Sequence, residues 1–266
     1  MTLEIAICTL NEGLLRVPDI LLPERDDVCY LVAWQCTDVS FDNLADDPRL
    51  IRDDVRIVRT ESKGLARNRN VAFENACADI LLIADDDVRY ENICFDHIIR
   101  TFQNNPSLDI ACFQACTYEG KPIRNYASYP FHYADQPRGT YFISFEIAVR
   151  RTSSLPSFDE RFGLGAPFLG AGEEEVFLWE AHRCGLNIQY FPLVVVRTDP
   201  QTTGMRMATD ASVQRAKGAV LCLMHGPFSA WLRCFKFVYF CSHFPHPHSA
   251  LREMTRGIKY ICQCRS

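Results

Sequence analysis

Three consecutive carboxylates, Asp85, Asp86 and Asp87, follow the apolar run ILLIA at 80–84. Carboxylates crowded at a strand end repel one another unless a cation or hydrogen-bond donors compensate them. In nucleotide chemistry the usual compensation is magnesium or manganese, held by one or two carboxylates and by substrate phosphates. Asp85, Asp86 and Asp87 are therefore candidates for holding such an ion or the nucleotide it accompanies. In isolation, a solvated acidic turn capping the next helix accounts for the same residues. One crossover earlier, KGLARNRN at 63–70 sets Lys63, Arg67 and Arg69 at a helix start. Cations and a helix N-terminus both favour a diphosphate there, although an ordinary basic helix start reads the same way.

The elements that must position these residues follow from the apolar pattern. Short β-rich runs at 3–9, 28–34, 55–59 and 80–84 are separated by polar or helical stretches, which predicts a largely parallel sheet flanked by helices. Residues 65–76 carry helical periodicity and read as the crossover helix before the fourth strand. A helix is expected at about 91–105, strands at 108–117 and 140–150, a glycine-rich connector at 163–172, a helix at 173–183 and a last strand at 187–197. In open α/β sheets ligands bind beyond the carboxyl ends of strands. The residues after Thr9, Trp34, Arg59 and Ala84 are thus the ones placed for binding.

The chain has 266 residues, 48% of them apolar and 23% charged, the balance of a globular α/β protein with a substantial core. MTLEIAICTL has no basic flank and reads as a first strand rather than a signal peptide, so a cytoplasmic location is expected. Thirteen scattered cysteines, an odd number, without paired C-x-x-C spacing, point to reduced thiols. Charge is uneven: residues 1–204 carry −12 and residues 205–266 carry +7. The chain as a whole is acidic, which argues against a general nucleic-acid binder. A division into an α/β domain, 1–204, and a basic, aromatic helical extension, 205–266, is expected.

TLNE (9–12), GLARNRN (64–70), ADDDV (84–88) and GEEEVF (172–177) occur in the order seen in glycosyltransferase family two, and the chain resembles an enzyme of that family over about residues 3–200. The resemblance implies the Rossmann-like GT-A fold, with a helical C-terminal extension. It implies that Thr9, Asn11 and Glu12 line the nucleotide pocket, that Arg67 and Asn68 lie against it, and that Asp85 and Asp87 form the D-x-D pair, the first facing the ribose and the last the metal, Mn2+ or Mg2+. It further implies an inverting transfer from a nucleotide diphosphate sugar, in first place a UDP-sugar, to a hydroxyl of a saccharide or lipid-linked acceptor. The acidic pair that supplies the base in the family corresponds to Glu173 and Glu174, with Glu174 as the base, since the attacking hydroxyl needs a positioned carboxylate to take its proton.

The chain departs from the family where adjacent aspartates often end the second strand, for it has Trp34, Gln35 and Cys36. Gln35 offers an amide that could hydrogen-bond a base edge. A metal-binding histidine is replaced after the last strand by Arg197, Thr198 and Asp199. A sugar nucleotidyltransferase is a rival reading, but the glycine-rich phosphate loop it would bring is missing from TLNEG. A family member that binds a sugar nucleotide without turnover is another. His243, His246 and His248 surround two prolines and read as solvated. In the extension, Phe228, Trp231, Leu232, Phe235, Val238 and Tyr239 recur at helical spacing. They form either a stripe packed into the core or a peripheral contact with an anionic membrane at its inner face; Arg233 and Lys236 interrupt the run too early for a spanning helix.

Overall fold

A computed structural model describes residues 1–152, 154–199, 203–241 and 244–264. The chain divides into two compact units. The first comprises Met1–Lys63, Arg67–Ser157 and Glu180–Pro200; the second comprises Gly64–Ala66, Phe158–Trp179 and Gln201–Ser266. The units are therefore not a sequential split at residue 204, since the glycine-rich connector and the first turns of the helix after it group with the C-terminal residues.

The first unit is built on eight strands: β1 (Leu3–Leu10), β2 (Val28–Gln35), β3 (Val55–Thr60), β4 (Ile80–Asp85), β5 (Ile110–Cys116), β6 (Phe131–His132), β7 (Ile147–Arg150) and β8 (Ile188–Arg197). Their spatial order is β3-β2-β1-β4-β7-β5-β8-β6. β3, β2, β1 and β4 are mutually parallel, as the four apolar runs predict. The far half is mixed: β7 lies antiparallel between β4 and β5, and β6 pairs antiparallel with β8, while β5 and β8 are parallel. The expected strand at 140–150 is shortened because residues Ser144–Glu146 form a 3-10 turn before β7. α1 (Leu65–Asn75) and α2 (Asn92–Asn104) fall where the periodicity puts helices.

β1 is buried along seven of its eight residues, and its neighbours on both sides are apolar, which is why the run LEIAICT does not alternate. Leu3, Ile5, Ile7, Val32, Trp34, Ile80, Leu82, Phe95 and Phe102 share one core. Glu4 is the exception inside β1. Its carboxylate accepts from the Cys77 backbone N–H at 2.7 Å and from Arg56 at 3.0 Å, so the buried charge is answered by donors. The strand order reverses at β1, with β2 on one side and β4 on the other. This is the switch point at which α/β sheets open a crevice.

The second unit packs α4 (Ala211–His225), α5 (Pro227–Lys236) and α6 (Pro247–Cys264) with the segment 158–179, where α3 (Glu173–Arg183) begins. Asp210 caps α4 by accepting from Ser212 N–H. Gly226, at φ 77°, ends α4, and Pro227 opens α5. α4 and α6 approach at Gly218 and Gly257, where an added Cβ would overlap the carbonyls of Met254 and Arg215 respectively. Among the described residues no helix is long and apolar enough to cross a membrane. All thirteen cysteines are free thiols.

Candidate functional site

The three carboxylates sit at the carboxyl end of β4, beside the end of β1, and have three different environments. Asp85 pairs with Arg69, Nη2 to Oδ1 3.3 Å, and receives Ser144 Oγ at 3.3 Å. Arg69 is buried, so it is a fixed counter-charge beneath the strand end and not an exposed phosphate ligand. Asp86 accepts two N–H groups of Arg16 on Oδ1, at 2.7 and 3.1 Å, and the Thr9 hydroxyl on Oδ2. Gly13 makes this possible, since a Cβ there would overlap both Asp86 Oδ2 and Thr9 Oγ1. Asp87 differs: its side chain is exposed and takes no side-chain hydrogen bond or ion pair among the described residues. The protein packed around it, together with the charges of Asp85 and Asp86, pushes its carboxyl above the usual carboxylate range.

Around this cluster the backbone is held by side chains. Tyr118 Oη donates to the Asp87 carbonyl at 3.1 Å. Burial raises the Tyr118 phenol; Arg89 opposes the shift, and Asp199 and Asp87 add to it. Asp199 is exposed in the same neighbourhood. Asn11, at φ 48°, accepts Thr37 N–H at 2.8 Å through Oδ1, while its carbonyl accepts Trp34 Nε1 at 3.0 Å. Asn68 is buried, and its amide donates to the carbonyls of Thr9 and Ala33 at 3.2 and 2.8 Å. Asn11 and Asn68, both assigned to a nucleotide pocket by resemblance, thus tie the ends of β1 and β2 together. Thr9 is likewise buried against Asp86. Gln35 is buried and donates to Ser62 Oγ at 3.1 Å. Glu12, Lys63 and Arg67 are exposed.

Glu173 and Glu174 lie in the second unit. Glu173 is buried, and a Cβ on Gly163, which has φ 99°, would stand 2.9–3.1 Å from its carboxyl atoms. Glu174 is half-buried, and Glu175 pairs with Lys217 at 3.2 Å. The Glu175 charge beside Glu174 is therefore answered by a lysine. The glycine-rich connector is a packed turn: Gly163 N–H donates to the Leu169 carbonyl at 2.9 Å, and Gly170 and Gly172 leave room for Ser212 and Val220. His246 and His248 are exposed and His243 lies outside the described residues. No group of three His, Cys, Asp or Glu side chains among the described residues is arranged to hold a metal.

Several functional-looking residues had no sequence signal. Arg16 reaches Asp86 from 70 positions away, and Ser144 reaches Asp85 from 59. Fully buried Glu146 is bound by Arg124 and Tyr126, and Arg124 lies 4.3 Å over the Tyr141 ring. Burial raises the Glu146 carboxyl, against the pull of Arg124, Tyr126 and the Ile143 N–H.

Residues 41–162 match the family model of glycosyl transferase family 2. No curated protein sequence matches the chain. Among solved structures the chain is similar to S. aureus TarS 1-349, with TM-score 0.60, 12% identity, and coverage of 100% of this chain and 91% of that one. It is similar to the same protein in complex with UDP-GlcNAc, TM-score 0.58 and 13% identity, and with UDP, TM-score 0.57 and 13% identity, at the same coverage. The architecture is the GT-A fold of those glycosyltransferases; of the four motifs, GLARNRN and ADDDV lie within the matched residues, and TLNE and GEEEVF lie outside them.

Proposed function

We propose that the chain is a metal-dependent, inverting glycosyltransferase that moves a sugar from a UDP-linked donor to a hydroxyl of a saccharide or lipid-linked acceptor. The observation that carries this reading is the contrast within the aspartate cluster. Asp85 and Asp86 are each neutralised by an arginine, whereas Asp87 stands exposed and unpaired among the described residues at the sheet's switch point. One available carboxylate suits magnesium or manganese, which keep water and phosphate ligands, better than zinc, which takes three or four protein ligands. Asp87 would hold the ion, with Asp85 as the second carboxylate, and the bound ion would supply neutralisation of the departing diphosphate.

The chain's own residues then have separable tasks. Exposed Lys63 and Arg67, at the start of α1, bind the diphosphate. Gln35, held by Ser62, together with Thr9, Asn11, Glu12, Asn68 and Asp86, shapes the nucleotide side. Glu174 accepts the proton of the acceptor hydroxyl as its oxygen attacks the anomeric carbon. A single displacement of this kind inverts the anomeric centre.

Incubation with a panel of UDP-sugars, manganese and a hydroxyl acceptor tests the reading. Release of UDP matched by glycosylated acceptor is expected. Release of pyrophosphate from added UTP and a sugar 1-phosphate, with formation of the UDP-sugar, would instead mark a nucleotidyltransferase, and tight UDP binding without release would mark a binding protein that does not turn over.

A further inference from the structure

We propose that the outward face of α5 and the helical turn after it is a docking surface for an anionic lipid bilayer. α5 continues through a π-helical turn, Phe237–Cys241. Its inward line is small: Ala230, Cys234 and Val238, at i, i+4 and i+8, are buried. Phe237 and Tyr239 pack partly against the same core, and five other large apolar residues point the other way. Phe228 is 78% exposed and Phe240 76%, and Trp231, Leu232 and Phe235 are exposed between them. The face is a continuous aromatic surface, with Trp231 stacked on Phe235 at 5.7 Å and Phe235 in contact with Tyr239 and Phe240 at 4.9 and 6.3 Å. Five of the sixteen large hydrophobics exposed among the described residues fall in these thirteen positions. That concentration marks a contact surface rather than the scatter of single apolar residues found on any protein.

Charge identifies the occupant. From Ala211 onward the only acidic residue is Glu253, and it is buried against Arg215 at 2.9 Å, Arg256 at 2.8 Å and Arg252 at 3.7 Å. Arg233 and Lys236 are exposed on α5 itself, and Arg252, Arg256 and Lys259 are exposed at helical spacing on α6. A second copy would bring the same positive charge to the same face, and α5 has no acidic residue to answer it. A bilayer bearing anionic headgroups meets both features, taking aromatic rings at its interface and basic side chains at its surface. No described helix is long and apolar enough to cross the membrane, so the helix lies on it.

Co-sedimentation of the full chain with phosphatidylglycerol-containing vesicles and with pure phosphatidylcholine vesicles tests this. Recovery on the anionic vesicles alone, weakening as salt rises, is expected. Arg233→Gln and Lys236→Gln should each lower affinity by about fivefold. Phe228→Ser/Trp231→Ser/Phe235→Ser, all at exposed positions, should abolish recovery while leaving the circular dichroism spectrum unchanged. Trp34 is buried and Trp179 half-buried, so a blue shift in tryptophan fluorescence on vesicle binding should disappear in Trp231→Phe while sedimentation persists. Equal recovery on both vesicle types, recovery on neither, or unchanged recovery of the triple serine variant would overturn the proposal. Concentration-dependent dimerisation lost in that variant, without vesicle recovery, would assign the face to a second copy.

Discussion

In the first unit three carboxylates, Asp85, Asp86 and Asp87, meet two arginines, whereas in the second unit a single carboxylate, Glu253, meets three. Both arrangements answer buried or half-buried acid with guanidinium, and both leave a residue of charge at the surface. Its sign is opposite: an unpaired aspartate in one unit, unpaired basic side chains in the other. The comparison teaches that the number of charges left over after local pairing, not the number present, sets which ligand a surface can take.

The sharpest way to break the first half of that comparison is the proposed base. Glu174→Gln keeps the shape of the side chain but cannot accept a proton, and transfer should fall by about 10²–10⁴-fold with UDP affinity retained. If Glu173→Gln is the inactive variant instead, the base lies one residue earlier. Next in size, Asp87→Asn should remove manganese-dependent UDP affinity by more than the roughly 10–100-fold that supporting residues around a metal cost. The thermal midpoint of its unliganded form should equal or exceed that of the wild type, because one of three crowded charges is gone. Calorimetric titration and a thermal melt check the two halves; unchanged affinity would leave Asp87 outside the site.

Close backbone approach separates the units again. Gly218→Ala drives a methyl into the carbonyl of Met254, which moves only if α4 and α6 separate, and should cost about 1–3 kcal/mol in a denaturant melt. Gly13→Ala meets only side-chain atoms, those of Asp86, Thr9 and Arg16. It should destabilise less while weakening nucleotide binding more, since Asp86 and Arg16 must shift.

The smallest expected effect is on pH. The Asp87 carboxyl is raised by partial desolvation from the protein packed around it and by its acidic neighbours, so manganese-dependent affinity should be complete above that raised value and decline as pH falls through it. The decline begins above the ordinary carboxylate range. The linkage for the unliganded fold runs the other way: between the ordinary and the raised value the folded chain holds the extra proton, and stability decreases as pH rises through that window. Titrating UDP binding in the wild type and in Asp87→Asn tests this, and an acid limb present in both would assign it to another group.

Much of the first unit was legible in the sequence. Short apolar runs bounded by polar segments marked β1, β2 and β4 and set Asp85–Asp87 at a strand end, the β-rich VRIVR marked β3, and helical period marked α1. The mixed half of the sheet did not, because β7 owes its antiparallel place between β4 and β5 to pairings far apart in the chain. Arg16 and Ser144 escaped notice for the same reason: no local pattern announces a side chain that arrives from 59 or 70 residues away. Asn11 and Asn68 were visible as motif residues, yet only the fold showed their amides spent on backbone groups of β1 and β2 and the loop after β2. The helical period of α5 was equally plain, but periodicity is the same whichever stripe faces inward. Tertiary packing chose the small line of Ala230, Cys234 and Val238, which brings the helix backbone close to its neighbours, and so turned the larger aromatic stripe outward.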